Sequence, residues 1–166
     1  MHEPTSRGVR KASATDRPWI EGVLTDRWGS TTVVSRGTAH DASELPAVVA
    51  ELGGELAGLL TYRLDGDALE VVTLDATRQG VGVGSALLEE AVRLARASGL
   101  SRIWLVTTND NVAALRFYQH RGFVMRAVHV GAVELSRRLK PSIPQLGADG
   151  IPIRDEIELS FDIDLR

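Results

Sequence analysis

Residues Arg78-Gln79-Gly80-Val81-Gly82-Val83-Gly84-Ser85 join a predicted strand to a predicted helix. Glycines let the backbone approach a ligand closely and adopt positive φ. The helix that follows turns unpaired backbone N–H groups and its positive dipole end toward the turn. Together these features make an anion site suited to a pyrophosphate. Arg78 can add a charge-assisted contact to a phosphate. Two familiar phosphate patterns do not fit. No Gly-Lys-Ser/Thr follows at P-loop spacing. Gly80-x-Gly82 is followed by Ser85 where a dinucleotide fingerprint has Gly or Ala, and no second mononucleotide half follows.

The elements around the turn must position it. Residues 68–75 read as a strand, 82–97 as a helix and 102–108 as a strand. Leu87, Leu88, Ala91, Leu94 and Ala95 form the apolar stripe of that helix. Such a βαβ unit predicts parallel strands joined by a right-handed crossover. A second helix over 111–121 is closed by Gly122 and leads into a strand over 123–130. Upstream, a short strand over 9–12 precedes a helix capped by Thr15 or Asp16, with Pro18 in its first turn. Residues 31–35 read as a strand and 36–44 as a polar loop. Segments 47–52 and 55–62 flank Gly53-Gly54, a pair suited to a tight hairpin turn. Downstream, 132–139 looks helical, and Pro141, Pro144 and Pro152 keep the chain extended. Ile157, Leu159, Phe161 and Ile163 alternate with polar residues, the pattern of a half-buried strand.

The chain has 166 residues, of which 43% are apolar and 25% charged. This predicts one domain, with a core over about 9–130 and a C-terminal extension over 131–166. A net charge of -3 argues against a nucleic-acid partner. The absence of cysteine excludes a disulfide framework, a thiolate metal site and a cysteine nucleophile. The start of the chain lacks signal-peptide character, and no apolar run approaches the ~20 residues of a membrane span. A soluble cytoplasmic protein without a membrane partner is the expectation.

Two segments together resemble a known family. Gln79-x-x-Gly82-x-Gly84 resembles the acetyl-CoA signature Arg/Gln-x-x-Gly-x-Gly/Ala of the GNAT superfamily of N-acetyltransferases. Asn111-x-x-Ala114-x-x-Phe117-Tyr118-x-x-x-Gly122-Phe123 resembles its second cofactor segment, at the family's order and spacing. The tail, with Leu139-Lys140-Pro141 and residues 150–156, resembles one poorly characterised bacterial subgroup. The resemblance implies an α/β (α+β) fold with a central mixed, mostly antiparallel sheet flanked by helices. The cofactor would bind where two parallel strands separate. It implies acetyl-CoA as co-substrate, no metal, and direct attack by a primary amine in a ternary complex. The acceptor would be a small molecule or peptide, and the enzyme a monomer or homodimer. Backbone N–H groups of Gln79, Gly80, Val81, Gly82, Val83, Gly84 and Ser85 would hold the pyrophosphate. The strand edge at Thr73 and Leu74 would pair with the pantetheine arm. Asn111 would bond that arm, and Tyr118 would protonate the leaving thiolate. Ala76 stands where many members have proline, which changes loop stiffness rather than chemistry. A non-catalytic CoA-binding module, a transferase of longer acyl groups and a nucleotide-binding oxidoreductase are the rival readings.

Each residue also has a plainer role. Tyr118 could be a core aromatic like its neighbour Phe117. Asn111 could be a helix N-cap, in competition with Asn109 and Asp110. Glu70 is the candidate base; alternation puts it on one strand face with Val72 and Leu74. Asp75, Glu134 and Asp155 are its rivals. Trp28, beside Gly29, is the best candidate for a pocket wall. Arg137, Arg138 and Lys140 read as a wet helix face, and His40 and His120 as solvated. The C-terminal strand should cover a sheet edge or add to a partner's sheet. Either arrangement could carry Arg154-Asp155-Glu156 toward the acceptor site.

Overall fold

The computed structural model describes residues 7–163. Its strands are β1 (Arg7–Lys11), β2 (Thr32–Ser35), β3 (Thr38–Asp41), β4 (Ala47–Leu52), β5 (Glu55–Asp65), β6 (Ala68–Ala76), β7 (Arg102–Thr108), β8 (Val124–His129) and β9 (Glu156–Asp162). Its helices are α1 (Arg17–Trp28), α2 (Val83–Ala97), α3 (Val112–His120) and α4 (Ala132–Leu139). Seven strands form one sheet in the order β1-β4-β5-β6-β7-β9-β8, and β2 and β3 form a separate hairpin. Among the described residues, only β6 and β7 pair in parallel. The expected fold class is therefore borne out.

Strand alternation divides the core between the two faces of the sheet. Val48, Leu60, Leu69 and Val71 join Leu87, Leu88 and Ala91 of α2 on one side. Val49, Leu59 and Val72 join Ile20, Val23 and Leu24 of α1 on the other. Gly58 makes the first interface possible: a Cβ there would collide with the Val83 and Leu87 side chains. The turn that leads into α1 is held by Asp16, whose carboxylate accepts from the Ser13 N–H at 2.7 Å and from Arg10 Nη1 at 2.7 Å. Gly29, at φ 82°, ends the helix.

Several expectations change. Residues 38–41 are not loop but β3, paired with β2 from Thr32↔Asp41 to Ser35↔Thr38. Arg36 and Gly37 form the tight turn that a reading of polarity alone passes over. The C-terminal strand neither covers an edge nor leaves its own sheet. β9 lies between β7 and β8, antiparallel to both, because its Ile157–Leu159 face completes the α2-side core. Arg137 and Lys140 are buried rather than on a wet face. Arg137 donates to the carbonyls of Pro144 and Ile153 at 2.8 and 2.6 Å. Lys140 Nζ donates to those of Trp28 and Thr32 at 2.5 and 2.7 Å. His40 is half-buried rather than solvated. Among the described residues, no helix is long and apolar enough to cross a membrane.

Candidate functional site

The site begins where the sheet opens. The parallel pairing of β6 with β7 stops at Val71↔Leu105, yet β6 runs on to Ala76 and β7 to Thr108. Beyond that point β7 no longer satisfies the facing edge of β6, which leaves backbone groups free for an extended ligand. A cavity of about 410 Å³ occupies this gap. Val72, Val106 and Thr108 line its floor, and Trp28, Ser35, Lys140 and Glu156 line its walls. Asn111 lines it too, while its side-chain oxygen accepts from the Ala114 N–H at 3.1 Å and caps α3. Asn109 and Asp110, the rivals for that cap, hold the C-terminal tail instead. Asn109 Oδ1 accepts from the N–H groups of Arg154 and Asp155, and Asp110 accepts from the Ala148 N–H.

The glycine-rich turn sits at the end of β6. Gly80 and Gly82 have φ of 74° and 78°, so the left-handed backbone expected of glycine is used at both. No side chain caps the start of α2. Its first N–H groups are therefore available to an anion, which is the feature a pyrophosphate needs. Gln79 is exposed, with Nε2 donating to the Ala76 carbonyl at 3.4 Å. Val81 is exposed, whereas Val83 is buried in the core and contributes only backbone to the turn. Gly84 lets α3 approach: a Cβ there would sit 3.3 Å from the Phe117 ring. Ser85 accepts at Oγ from both Arg121 Nε and Nη2, at 3.0 and 2.5 Å. Arg78 stands 3.8 Å from Glu55.

Past Val71 the face parity of β6 changes. Thr61 pairs with Thr73 but Tyr62 with Val71, so Val72 is an extra residue in β6. Leu74 accordingly packs with the α2-side cluster rather than sharing a face with Glu70. Asp75 turns toward α1, where its Oδ2 accepts from the Trp28 indole at 2.8 Å. Burial raises the Asp75 carboxyl above the usual range, opposed by that indole bond and by Arg27. Thr73 is buried and bonded to Thr61 at 2.7 Å.

Tyr118 is buried, with its ring 5.2 Å from Phe117 and 5.5 Å from Phe123. Burial, and next the charge of Asp75, push its phenol well above the ordinary tyrosine range. It therefore keeps its proton throughout the physiological range. Glu70 is fully buried, and both its oxygens are engaged. Oε1 accepts from Ser35 Oγ at 2.6 Å, and Oε2 receives Arg63 Nε. Glu70 thus faces the cavity only through Ser35. Glu134, one rival acid, is exposed and pairs with Arg137, and Asp155 accepts from the Gly131 N–H.

Sequence reading missed two flanking cations and a groove beside them. Arg7 Nη1 donates to the Val81 carbonyl at 3.1 Å and so places a cation over the turn, from a strand 74 positions earlier. Arg121 lies 3.6 Å over the Phe117 ring and closes the turn from the α3 side; its place just before Gly122 was the available signal. Beside it, a larger groove of about 1190 Å³ runs between α2 and α3 and carries Arg93, Arg96, Arg116 and Arg121.

Comparisons with known proteins agree with this arrangement. The family model described as "Acetyltransferase (GNAT) family" matches residues 13–123. The chain is 42% identical over 147 residues to the "Uncharacterized protein YdhI" of Bacillus subtilis, covering 86% of this chain and 92% of that one. Among solved structures, it is similar to an IAA acetyltransferase from Bacillus cereus, with a TM-score of 0.73 at 22% identity, over 95% of this chain and 100% of the other. It is also similar to a Bacillus subtilis acetyltransferase solved in complex with CoA, with a TM-score of 0.70 at 19% identity, over 96% and 100%. The opened parallel pair, the uncapped glycine-rich start of α2 and the matched segment lead to one conclusion: the chain belongs to the acetyltransferase (GNAT) family.

Proposed function

We propose that this protein is an acetyl-CoA-dependent N-acetyltransferase that acts on a primary amine of a small molecule or peptide. The observation that carries this reading is the separation of β6 and β7 beyond Val71↔Leu105, directly beside the uncapped start of α2. One element offers strand-like pairing to an amide-bearing arm, and the next offers N–H groups to a pyrophosphate. Pantetheine joined to a pyrophosphate presents both groups in that order. The B. subtilis neighbour described as a CoA complex supports the same ligand class.

In this reading the edge at Thr73 and Leu74 holds the pantetheine arm, with Asn111 across the gap. Backbone N–H groups from Gln79 to Ser85 hold the pyrophosphate, with Arg7 and Arg121 as flanking charge. The arginine-rich groove between α2 and α3 suits the phosphorylated nucleotide end. Acetyl-CoA supplies an activated acyl carbon. The amine attacks it directly, the C–N bond forms, and the C–S bond breaks. Glu70 is the proposed base: the amine proton passes to Ser35 Oγ while the Ser35 proton passes to Glu70 Oε1. Tyr118, kept protonated by burial, is the proposed donor to the departing thiolate. No metal takes part. The enzyme is proposed to work in the cytoplasm, as one domain, as a monomer or homodimer.

The test is calorimetry with acetyl-CoA, followed by thiol release across a panel of primary amines. Binding together with amine-dependent release of free CoA is expected. Binding without release for any amine would leave a non-catalytic module, and no binding at all would remove the reading.

A further inference from the structure

The cavity is lined by a carboxylate of its own, Glu156, and one of its oxygens is not satisfied. Glu156 opens β9, where it is paired with Thr108 of β7 and His129 of β8, at the open end of the β6–β7 gap. It is only 3% exposed and lines the 410 Å³ cavity. Its Oε1 accepts from Ser136 at 3.2 Å, but its Oε2 is buried with no hydrogen-bond partner among the described residues. A buried carboxylate oxygen without a donor is costly unless a donor satisfies it. Lys140, the ammonium in the same wall, is engaged with the carbonyls of Trp28 and Thr32 and forms no ion pair with Glu156. Glu70, by contrast, has both oxygens occupied by Ser35 and Arg63. Its neighbours in the tail differ as well: Asp155 is bound to the Gly131 N–H, and Arg154 to Asp155.

We infer that Glu156 is the acceptor-binding carboxylate, and that the acceptor enters the cavity as a small cationic primary amine whose ammonium docks on Glu156 Oε2. The position is reached only because β9 lies inside the sheet. That insertion brings a charge from the end of the chain against Thr108, beside the gap. The side chain of Glu156 points toward α4, on the sheet face that carries Glu70, Ser35 and α1, while Ile157 turns to the α2 face. Val71 and Val72 of β6, Ser35, which bonds Glu70, and Glu156 thus line one cavity. The inference rests on the acetyl-transfer reading for its chemistry, although the unpaired, buried Oε2 stands without it.

Glu156→Gln separates the possibilities, because it keeps the shape and the Ser136 bond and removes the charge. Three measurements are combined. In thiol-release assays, the KM for the best amine should rise about 10- to 100-fold, with a smaller change in kcat, as expected for loss of a hydrogen bond to a charged group. Acetyl-CoA affinity by calorimetry should not move. Ethylammonium chloride should raise the Tm of the native protein above that in sodium chloride at equal ionic strength, and this difference should vanish in Glu156→Gln. An unchanged KM, or an ethylammonium effect equal in both proteins, would overturn the assignment. If acetyl-CoA does not bind, the proposed function falls, and the ethylammonium comparison still decides for or against Glu156.

Discussion

Tyr118 concentrates two roles that its sequence left side by side. It is a core aromatic, packed against Phe117 and Phe123, and it is also a phenol held protonated by its surroundings. Burial favours the neutral form, so its contribution to stability is intact below the ordinary tyrosine pKa and is lost as pH rises above it. Tyr118→Phe keeps the packing and removes the proton. It is predicted to lower kcat by about 10²-fold while leaving acetyl-CoA affinity nearly unchanged. An unchanged rate at saturating acetyl-CoA would take Tyr118 out of the mechanism. At this scale the sequence was uneven. The glycines of the turn were legible because positive φ constrains residue type directly. Arg7, Arg121 and the burial of Glu156 in the cavity were not, because each depends on distant segments meeting. The parity of β6 was misread because a single extra residue, Val72, leaves no mark on the hydrophobic pattern.

Among the elements, α1 carries the end wall of the cavity through Trp28, so its start bears on the site at its finish. The turn that leads into α1 is held by Asp16, which accepts from Ser13 and Arg10 and is held below the usual carboxylate range, first by Arg10 and then by the Ser13 N–H. A depressed folded pKa gives stability that is present above the unfolded value and lost as pH falls. Asp16→Asn is therefore predicted to cost about 1–3 kcal/mol at neutral pH, the usual scale for hydrogen bonds to a charged group. The gap between the two proteins should close as pH falls below about 4, the ordinary aspartate range. Urea melts at neutral and acid pH test this, and a gap that persisted in acid would show that the carboxylate charge is not what matters. Most elements were legible, because α2 has a clean apolar stripe and β9 a clean alternation. The β2–β3 hairpin was hidden, since β3 reads Thr-Ala-His-Asp and carries no apolar alternation of its own.

The whole molecule differs from a core with an appendix. β9 fills the slot between β7 and β8, α4 reaches across to α1 through Lys140, and Asn109 ties the tail to the turn before α3. The alternation of β9 was visible in the sequence, but its place in the sheet was not, because pattern fixes the buried face and not the neighbour. The consequence is testable. Without β9, both β7 and β8 lose their antiparallel partner, and Leu159, fully buried, leaves the core. Deleting residues 141–166 is therefore predicted to abolish cooperative thermal unfolding, rather than merely to remove acceptor activity. A milder probe avoids an all-or-none result. Leu159→Ala should cost about 2–5 kcal/mol, as buried Leu to Ala changes do. That is a large share of the roughly 5–15 kcal/mol that holds a domain together. A truncated chain that still melted sharply, near the temperature of the full protein, would mean that the sheet closes without its last strand. Both the placement of Glu156 and the unity of the fold would then need another explanation.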